Sequence, residues 1–302
     1  MATDPDEIYM VRSHFWCGNY QLAINEGAKT HPPTDGLRIE RDAYVYRAYV
    51  ALGNHGIVMD EITGDAPVAL QAVRLLATFL GEEPGAGGGR AAALATLSEW
   101  LNDPEKGGDP TLQLVGGQMF LADDNTTEAL RAIRFASTVE QLGLAAQVYL
   151  RMHRLDLADK AVKAMAALDD DSTLSQLAAA WAHLAHGGAR CQEAAYVFQE
   201  LIDKFGASAL LQNGLACAYL HMGRFEEADK LLVDASTKGA SADTLVNQVC
   251  CAQHLQKPAE VTARYVKQLQ RAAPNHPWVE QHGLVDAAFE KAAAGYAQEA
   301  AK

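Results

Sequence analysis

A helical hairpin that recurs along the chain is the feature that most constrains its fold. In the segment GLACAYLHMGRFEEADKLLVDAS, residues 214–236, apolar side chains recur at helical spacing on both sides of Gly223. The segment therefore predicts two amphipathic helices joined by a tight turn. Alanines stand at 216 and 228, where two helix axes must approach to about 8–10 Å and a bulky side chain would hold the backbones apart.

The hairpin repeats at the interval of the tetratricopeptide template, a helix-turn-helix unit of about 34 residues. The small residue at the twentieth template position serves as the anchor of each match. From residue 158 onward the anchors lie about one repeat apart, and the earlier ones are less regular. The anchors are Val58, Ala129, Ala158, Ala194, Ala228 and Thr262.

The pattern predicts an all-α fold, a right-handed superhelix of tetratricopeptide-like hairpins, or α-solenoid, in one domain over residues 1–302. No alternating pattern predicts a strand, and prolines fall outside the expected helices or in their first turns. We expect irregular loops near 82–90 and 102–110, and a C-terminal helix over 277–297. The sixteen helices expected before it cover 5–16, 19–29, 36–52, 55–63, 67–80, 89–102, 110–122, 126–135, 138–152, 155–168, 173–186, 191–204, 208–222, 225–237, 242–255 and 258–272.

Composition limits the kind of partner. The formal charge of −13 leaves no basic face large enough for nucleic acid or an anionic membrane surface to be the main partner. Five cysteines form no C-x-x-C pair, which favours buried free thiols in a reducing compartment. No signal-peptide layout and no run of about 18 apolar residues occurs. We therefore expect a soluble cytosolic protein.

No motif in the chain predicts catalysis. The glycines at 85–89 spell neither phosphate-binding pattern, so a flexible linker explains them better. His183 and His186 lack further ligands at metal-binding spacing, and the adjacent Cys250 and Cys251 fit packing better than redox chemistry. Asn125 begins a glycosylation sequon but is better interpreted as a helix N-cap. We expect no enzymatic activity, no metal and no cofactor.

The first helix of each hairpin lines the concave surface of such an array, where a protein partner can bind. Template positions that point into this groove, together with the aromatic-rich N-terminal segment, supply the candidates. For each of them the alternative is a solvated polar residue or a core aromatic. The candidate partner-binding residues are Arg12, Phe15, Trp16, Arg47, Gln118, Gln147, Arg151, Asn213 and Asn247. We expect charge reversal at Arg47 and Arg151 to leave stability nearly intact, because groove arginines are exposed.

Several segments together resemble the epsilon subunit family of coatomer, the cytosolic coat of Golgi-to-endoplasmic-reticulum transport vesicles. The resemblance covers nearly the whole chain and is weakest near 85–90. The segments that carry it include HFWCGNYQLAINE, ERDAYVYRAYVALG, GIVMDEI, AAYVFQEL and KPAEVTARYVKQL.

The resemblance implies a structural subunit that holds the C-terminal domain of the coatomer alpha subunit. Other coatomer subunits would be indirect partners, and the chain would meet the Golgi membrane only peripherally, through the assembled coat. Two other classes of function stay open. A generic tetratricopeptide scaffold or chaperone-docking adaptor would need a basic clamp in its groove, and an enzyme built on helical hairpins would need clustered titratable groups.

Overall fold

Helices account for all the regular secondary structure that the computed structural model describes, which covers residues 6–82, 88–239 and 241–300, with side chains to residue 296. This confirms the predicted all-α class. The helices are α1 Tyr9–Trp16, α2 Tyr20–Lys29, α3 Asp35–Ala51, α4 His55–Glu61, α5 Val68–Gly81, α6 Gly89–Asn102, α7 Pro110–Ala122, α8 Thr126–Ala132, α9 Val139–Arg151, α10 Leu155–Leu168, α11 Thr173–His186, α12 Arg190–Phe205, α13 Ala209–His221, α14 Phe225–Gly239, α15 Ala242–His254, α16 Ala259–Ala272 and α17 Pro277–Ala300.

The two predicted loops flank α6. Of the first, residues 83–87 lie outside the described residues, and α6 begins at Gly89. The second joins α6 to α7 over residues 103–109. In the described part of the chain, no helix is both long enough and apolar enough to span a bilayer.

Local capping explains where several helices begin. Thr138 and Gln141 form a reciprocal capping box at α9. Asp109 accepts a hydrogen bond of 2.9 Å from the Leu112 N–H, and Pro110 follows as the first residue of α7. Asn125 accepts one of 3.1 Å from the Glu128 N–H, which confirms its prediction as an N-cap. These side chains satisfy amide groups that have no acceptor within their own helix.

The chain divides into two compact units, Met1–Gly206 and Ala207–Lys302. In the first unit, the helices α3, α5, α7, α9 and α11 each pack against the next. They are the inner helices of successive hairpins. Helix α1 packs against both α3 and α11, so it joins the two ends of this series. The prediction of a single domain over residues 1–302 stays a prediction.

Polar and aromatic contacts hold α1 and the turn after it against α11 and α12. The Thr173 hydroxyl lies 3.1 Å from the Ser13 hydroxyl, and both groups are buried. The Asn19 side-chain amide donates to the Phe205 carbonyl at 3.0 Å. The His14 ring lies edge-on to the Phe205 ring, with centroids 6.0 Å apart. Helix α1 therefore closes the series of inner helices in this unit.

The second unit contains the hairpin of α13 and α14, the hairpin of α15 and α16, and α17. Ala216 and Ala228 are fully buried where α13 meets α14, and they pack in one cluster with Leu232 and Cys251. Gly223, in the turn between the helices, has a φ of 74°, which glycine adopts without steric cost. The small residues therefore lie at the close approach that the sequence predicts.

We predict that Ala216→Trp destabilises the protein. The indole would overpack a fully buried contact between α13 and α14, which costs about 1–3 kcal/mol. Urea unfolding monitored by circular dichroism measures the change. The matched control is Ala287→Trp, which places the same side chain at an exposed position of α17 and should leave stability nearly unchanged. Equal stability of the two variants would contradict the repeat register.

Candidate partner-binding site

A cleft of about 510 Å³ opens within the first unit. One wall is formed by α1 and α3, which contribute Arg12, Trp16, Tyr44 and Arg47. The rest of the cleft is lined by residues at the N-terminal ends of α5, α7 and α9, and by Asp169 and Ser172, which precede α11. First-turn amides carry partial positive charge and have no acceptor within their helix. Much of the cleft is therefore lined by polar groups at helix N-termini or in the connections just before them.

The carboxylate of Glu140 joins three of these helices. It lies in the first turn of α9 and accepts a hydrogen bond of 3.0 Å from the Trp16 indole N–H of α1. Arg47 of α3 donates two further hydrogen bonds to it, of 2.9 and 3.0 Å, in a bidentate pair. Bidentate pairs fix orientation as well as distance. This junction sets the relative positions of α1, α3 and α9.

Burial and charge act on Glu140 in opposite directions. Burial alone would raise the pKa of its carboxyl, because the charged form loses water. The Arg47 guanidinium and the hydrogen bonds from Arg47, Trp16 and Tyr44 outweigh this effect and hold the pKa below its ordinary value. Burial also holds the pKa of the Tyr44 hydroxyl well above its usual range. Glu140 is therefore ionised and Tyr44 neutral at pH 7.

The burial of Arg47 differs from what the sequence predicts. We expected an exposed groove arginine, but its side chain is only 6% exposed and is paired with Glu140. Its guanidinium carbon also lies 4.6 Å from the centre of the Phe15 ring, which stacks edge-on against Tyr44. The expectation that Arg47 is an exposed groove residue is therefore wrong, and charge reversal there would disrupt a buried ion pair.

The remaining candidates of the first unit differ in their surroundings. Arg12 lines the cleft and pairs with Glu40 at 2.7 Å. Arg151 donates to the Leu121 carbonyl and to Asp124, and its side chain is 49% exposed. Gln118 is half-buried and Gln147 exposed. The cleft brings together Arg12, Trp16 and Arg47, whereas Phe15, Gln118, Gln147 and Arg151 do not line it. Their roles in partner binding stay predictions.

In the second unit, the two predicted asparagines lie side by side. Asn247 of α15 donates a hydrogen bond of 3.0 Å to the side-chain oxygen of Asn213 on α13. It also lies 3.4 Å from the Cys217 sulfur. One tetratricopeptide repeat of about 34 residues separates the two positions. Neighbouring first helices therefore present equivalent side chains on one face, as the template predicts.

Sequence reasoning missed several residues of the cleft. Glu140, Tyr44 and Asp109 contribute charged or polar groups to its walls. Ser172 also lines it, and its hydroxyl, on a residue only 4% exposed, has no hydrogen-bond partner among the described residues. The sequence signals for Glu140 and Ser172 were those of ordinary helix starts. Arg47 and Glu140 are 93 residues apart in the sequence, and no local pattern predicts that their side chains meet.

Carboxylates outnumber guanidinium groups along the cleft. Four carboxylates, of Glu40, Asp109, Glu140 and Asp169, line it with two guanidinium groups, both of which are ion-paired. It therefore lacks the basic clamp that a partner carboxylate would need. Among the described residues, no group of three or more His, Cys, Asp or Glu is placed to hold a metal ion.

Comparison with known proteins identifies a family. The family model described as the coatomer epsilon subunit matches residues 4–297. Coatomer subunit epsilon-1 of Arabidopsis thaliana is 37% identical over 294 residues, which cover 97% of this chain and 98% of the relative. Coatomer subunit epsilon-2 of Oryza sativa subsp. indica is 40% identical, and the match covers 96% of this chain and 97% of the relative. Coatomer subunit epsilon of Dictyostelium discoideum is 31% identical, and the match covers 94% of this chain and 97% of the relative.

Solved structures show the same type of fold at low sequence identity. A tetratricopeptide repeat protein from Parabacteroides merdae aligns with a TM-score of 0.58 and 15% identity, covering 87% of this chain and 96% of that one. A chain of the APC/C hetero-tetramer Cut9-Hcn1 aligns with a TM-score of 0.62 and 14% identity, covering 90% of this chain and 53% of that one. These likenesses confirm the predicted tetratricopeptide-like fold.

We predict that Arg47→Glu destabilises the protein strongly whereas Arg151→Glu does not. Removing one partner of a buried ion pair leaves the other charge uncompensated, at a cost of about 3–5 kcal/mol. An exposed pair such as Arg151 with Asp124 contributes about 1 kcal/mol or less. Chemical unfolding of both variants measures the difference. Equal midpoints would show that the Glu140 junction does not stabilise the fold.

We predict that Glu140 contributes to acid sensitivity. Its pKa in the folded protein lies below the ordinary value of 4.5, so the unfolded chain takes up its proton first as pH falls. The stabilisation is complete above that value and is lost as pH falls toward the folded pKa. Unfolding free energy between pH 7 and the acid transition should therefore fall more steeply in the wild-type protein than in Glu140→Gln. Parallel pH profiles would contradict the assignment.

Proposed function

Because the chain belongs to the coatomer epsilon subunit family, we propose that it binds and stabilises the C-terminal domain of the coatomer alpha subunit. Membership of the family makes the chain a structural, non-enzymatic subunit of the COPI coat in vesicle transport, with other coatomer subunits as its partners. The choice of the alpha subunit, through that domain, is the proposal. The transport routes are also part of the proposal: Golgi-to-endoplasmic-reticulum retrograde transport and intra-Golgi transport. We propose that the chain acts in the cytoplasm and peripherally on Golgi membranes and COPI vesicles.

The single observation that carries the proposal is the cleft of the first unit. Its walls are held by buried hydrogen bonds and ion pairs between helices, so it is formed before a partner arrives. Preformed sites lose less conformational entropy on binding, which increases affinity. The buried Ser172 hydroxyl lacks a hydrogen-bond partner among the described residues. It can bond to a backbone amide or carbonyl of a bound protein segment.

The electrostatics of the cleft support a role in the coat over a chaperone-docking adaptor. An adaptor that captures a carboxylate needs free cationic groups. Here the Arg12 and Arg47 guanidinium groups already pair with Glu40 and Glu140. The carboxylates outnumber the arginines along the walls, which favours a partner segment that is neutral or basic where it enters.

We predict that Gly36→Trp weakens binding to a fragment containing the C-terminal domain of the alpha subunit by roughly tenfold or more, equivalent to about 1.4 kcal/mol. Gly36 lies in the first turn of α3 and lines the cleft, and a Cβ added there would meet no atom within 4 Å. The indole can therefore enter the cleft without disturbing the fold. Isothermal titration calorimetry with the purified full chain measures the affinity.

The matched control is Gly56→Trp in α4. Gly56 also lies in a first turn, has the same free space around its Cβ and does not line the cleft. This variant should bind as the wild-type protein does. A wild-type chain that fails to bind the fragment would refute the choice of partner. Tight binding by Gly36→Trp would instead refute the cleft as the site while leaving the partner intact.

A further inference from the structure

A groove on the second unit carries basic groups that the fold does not use. It lies between α14 and α16, above α15, and has a volume of about 740 Å³. Helix α16 contributes Arg264, Tyr265, Gln268 and Arg271 to it. No Asp or Glu is among its lining residues. The groove is therefore locally basic in a chain whose formal charge is −13.

Both arginines of the groove are free to bind. Neither Arg264 nor Arg271 makes a salt bridge or a side-chain hydrogen bond with any residue in ranges 6–82, 88–239 and 241–300. The guanidinium carbon of Arg264 lies 5.6 Å from the centre of the ring of its neighbour Tyr265. By contrast, Arg224 in the same unit is paired with Glu227.

The charge of the chain is unevenly distributed. Residues 207–302 contain nine Lys and Arg and ten Asp and Glu, against 25 and 38 in the whole chain. Most of the acidic excess therefore belongs to residues 1–206. Helix α16 contains one acidic residue, Glu260, and three basic residues, Arg264, Lys267 and Arg271. Along one stripe of this helix the local field attracts anionic groups.

The floor of the groove is fixed, and part of its wall is apolar. The buried Gln248 amide of α15 donates to the Leu232 carbonyl at 3.2 Å and to the Ser236 hydroxyl at 2.8 Å, both on α14. Val233 of the same helix is 48% exposed beside these bonds. A ligand would therefore meet charged groups on α16 and apolar surface on α14.

The spacing of the arginines defines the ligand further. Arg264 and Arg271 lie seven residues apart on α16, which corresponds to about 10.5 Å along the helix at about 1.5 Å per residue. A segment in the extended polyproline II conformation rises about 3.1 Å per residue, and its three residues per turn place positions i and i+3 on the same side. Carboxylates at positions i and i+3 of such a segment therefore match the two guanidinium groups. Each of these can accept a carboxylate in a bidentate pair.

We propose that this groove binds an acidic, extended segment of another protein, with carboxylates three residues apart on Arg264 and Arg271 and an apolar side chain against Tyr265 and Val233. Charge complementarity identifies this occupant, because free guanidinium groups without neighbouring acids attract carboxylates. The surface is separate from the cleft proposed above to bind the alpha subunit, and the full chain would use it for a second protein contact.

The test uses the purified full chain and a fluorescein-labelled peptide with Glu at every third position and Leu beside each Glu. Fluorescence anisotropy should show binding that is lost when Gln replaces each Glu and that weakens as salt is raised, because exposed charges are screened. Arg264→Glu with Arg271→Glu should weaken binding of the Glu peptide by roughly tenfold or more, with an unchanged circular dichroism spectrum and Tm.

The matched control is Arg74→Glu with Arg190→Glu, which makes the same change of charge at two exposed arginines of the first unit that also lack a salt bridge among the described residues. This variant should bind the Glu peptide within about twofold of the wild-type affinity. Equal binding of the Glu and Gln peptides would overturn the proposal, as would an equal loss in the control variant. Phosphatidylserine vesicles that capture the chain when the Glu peptide does not would assign the groove to membranes instead, and would also overturn it.

Discussion

The first unit depends on one buried carboxylate. Glu140 accepts hydrogen bonds from Trp16 of α1 and Arg47 of α3 at the first turn of α9. A buried ion pair adds little net stability over an apolar contact, because both charges lose water, but leaving one charge unpaired is costly. The junction therefore penalises any arrangement in which the three helices separate. We expect its main contribution to be the specificity of the packing rather than its total free energy.

That specificity creates the cleft. Because α1 packs against both α3 and α11, the series of inner helices in this unit closes. The N-terminal ends of α5, α7 and α9 and the residues just before α11 line the cleft. The first amides of a helix have no intrahelical acceptor. Side chains satisfy part of this need at α7 and α9, whereas Ser172 does not cap α11. The closure thus places unused hydrogen-bonding capacity where a partner segment can reach it.

The sequence predicts repeating structure better than it predicts the site. Ala216 and Ala228 are buried together, and Asn213 and Asn247 are hydrogen-bonded, because both pairs follow from a repeat that acts only between neighbouring helices. The environment of Arg47 could not be predicted this way. Template positions describe an open groove, whereas Glu140, 93 residues away, reaches Arg47 only because α1 closes the unit. Arg47, which the sequence predicts to lie on the groove surface, is instead buried and helps to hold the helices around the cleft together.

The central claim is that this closed unit presents its cleft to the alpha subunit, and hydrogen exchange on the full chain tests it most directly. The first-turn amides of α7 and α9 that no side chain caps should exchange readily in the free protein, because they lack acceptors within their helices. Addition of a fragment containing the C-terminal domain of the alpha subunit should slow exchange at the amides of Thr111, Val139 and Glu140, which line the cleft. Unchanged exchange at these residues, with protection elsewhere in the chain, would contradict the claim.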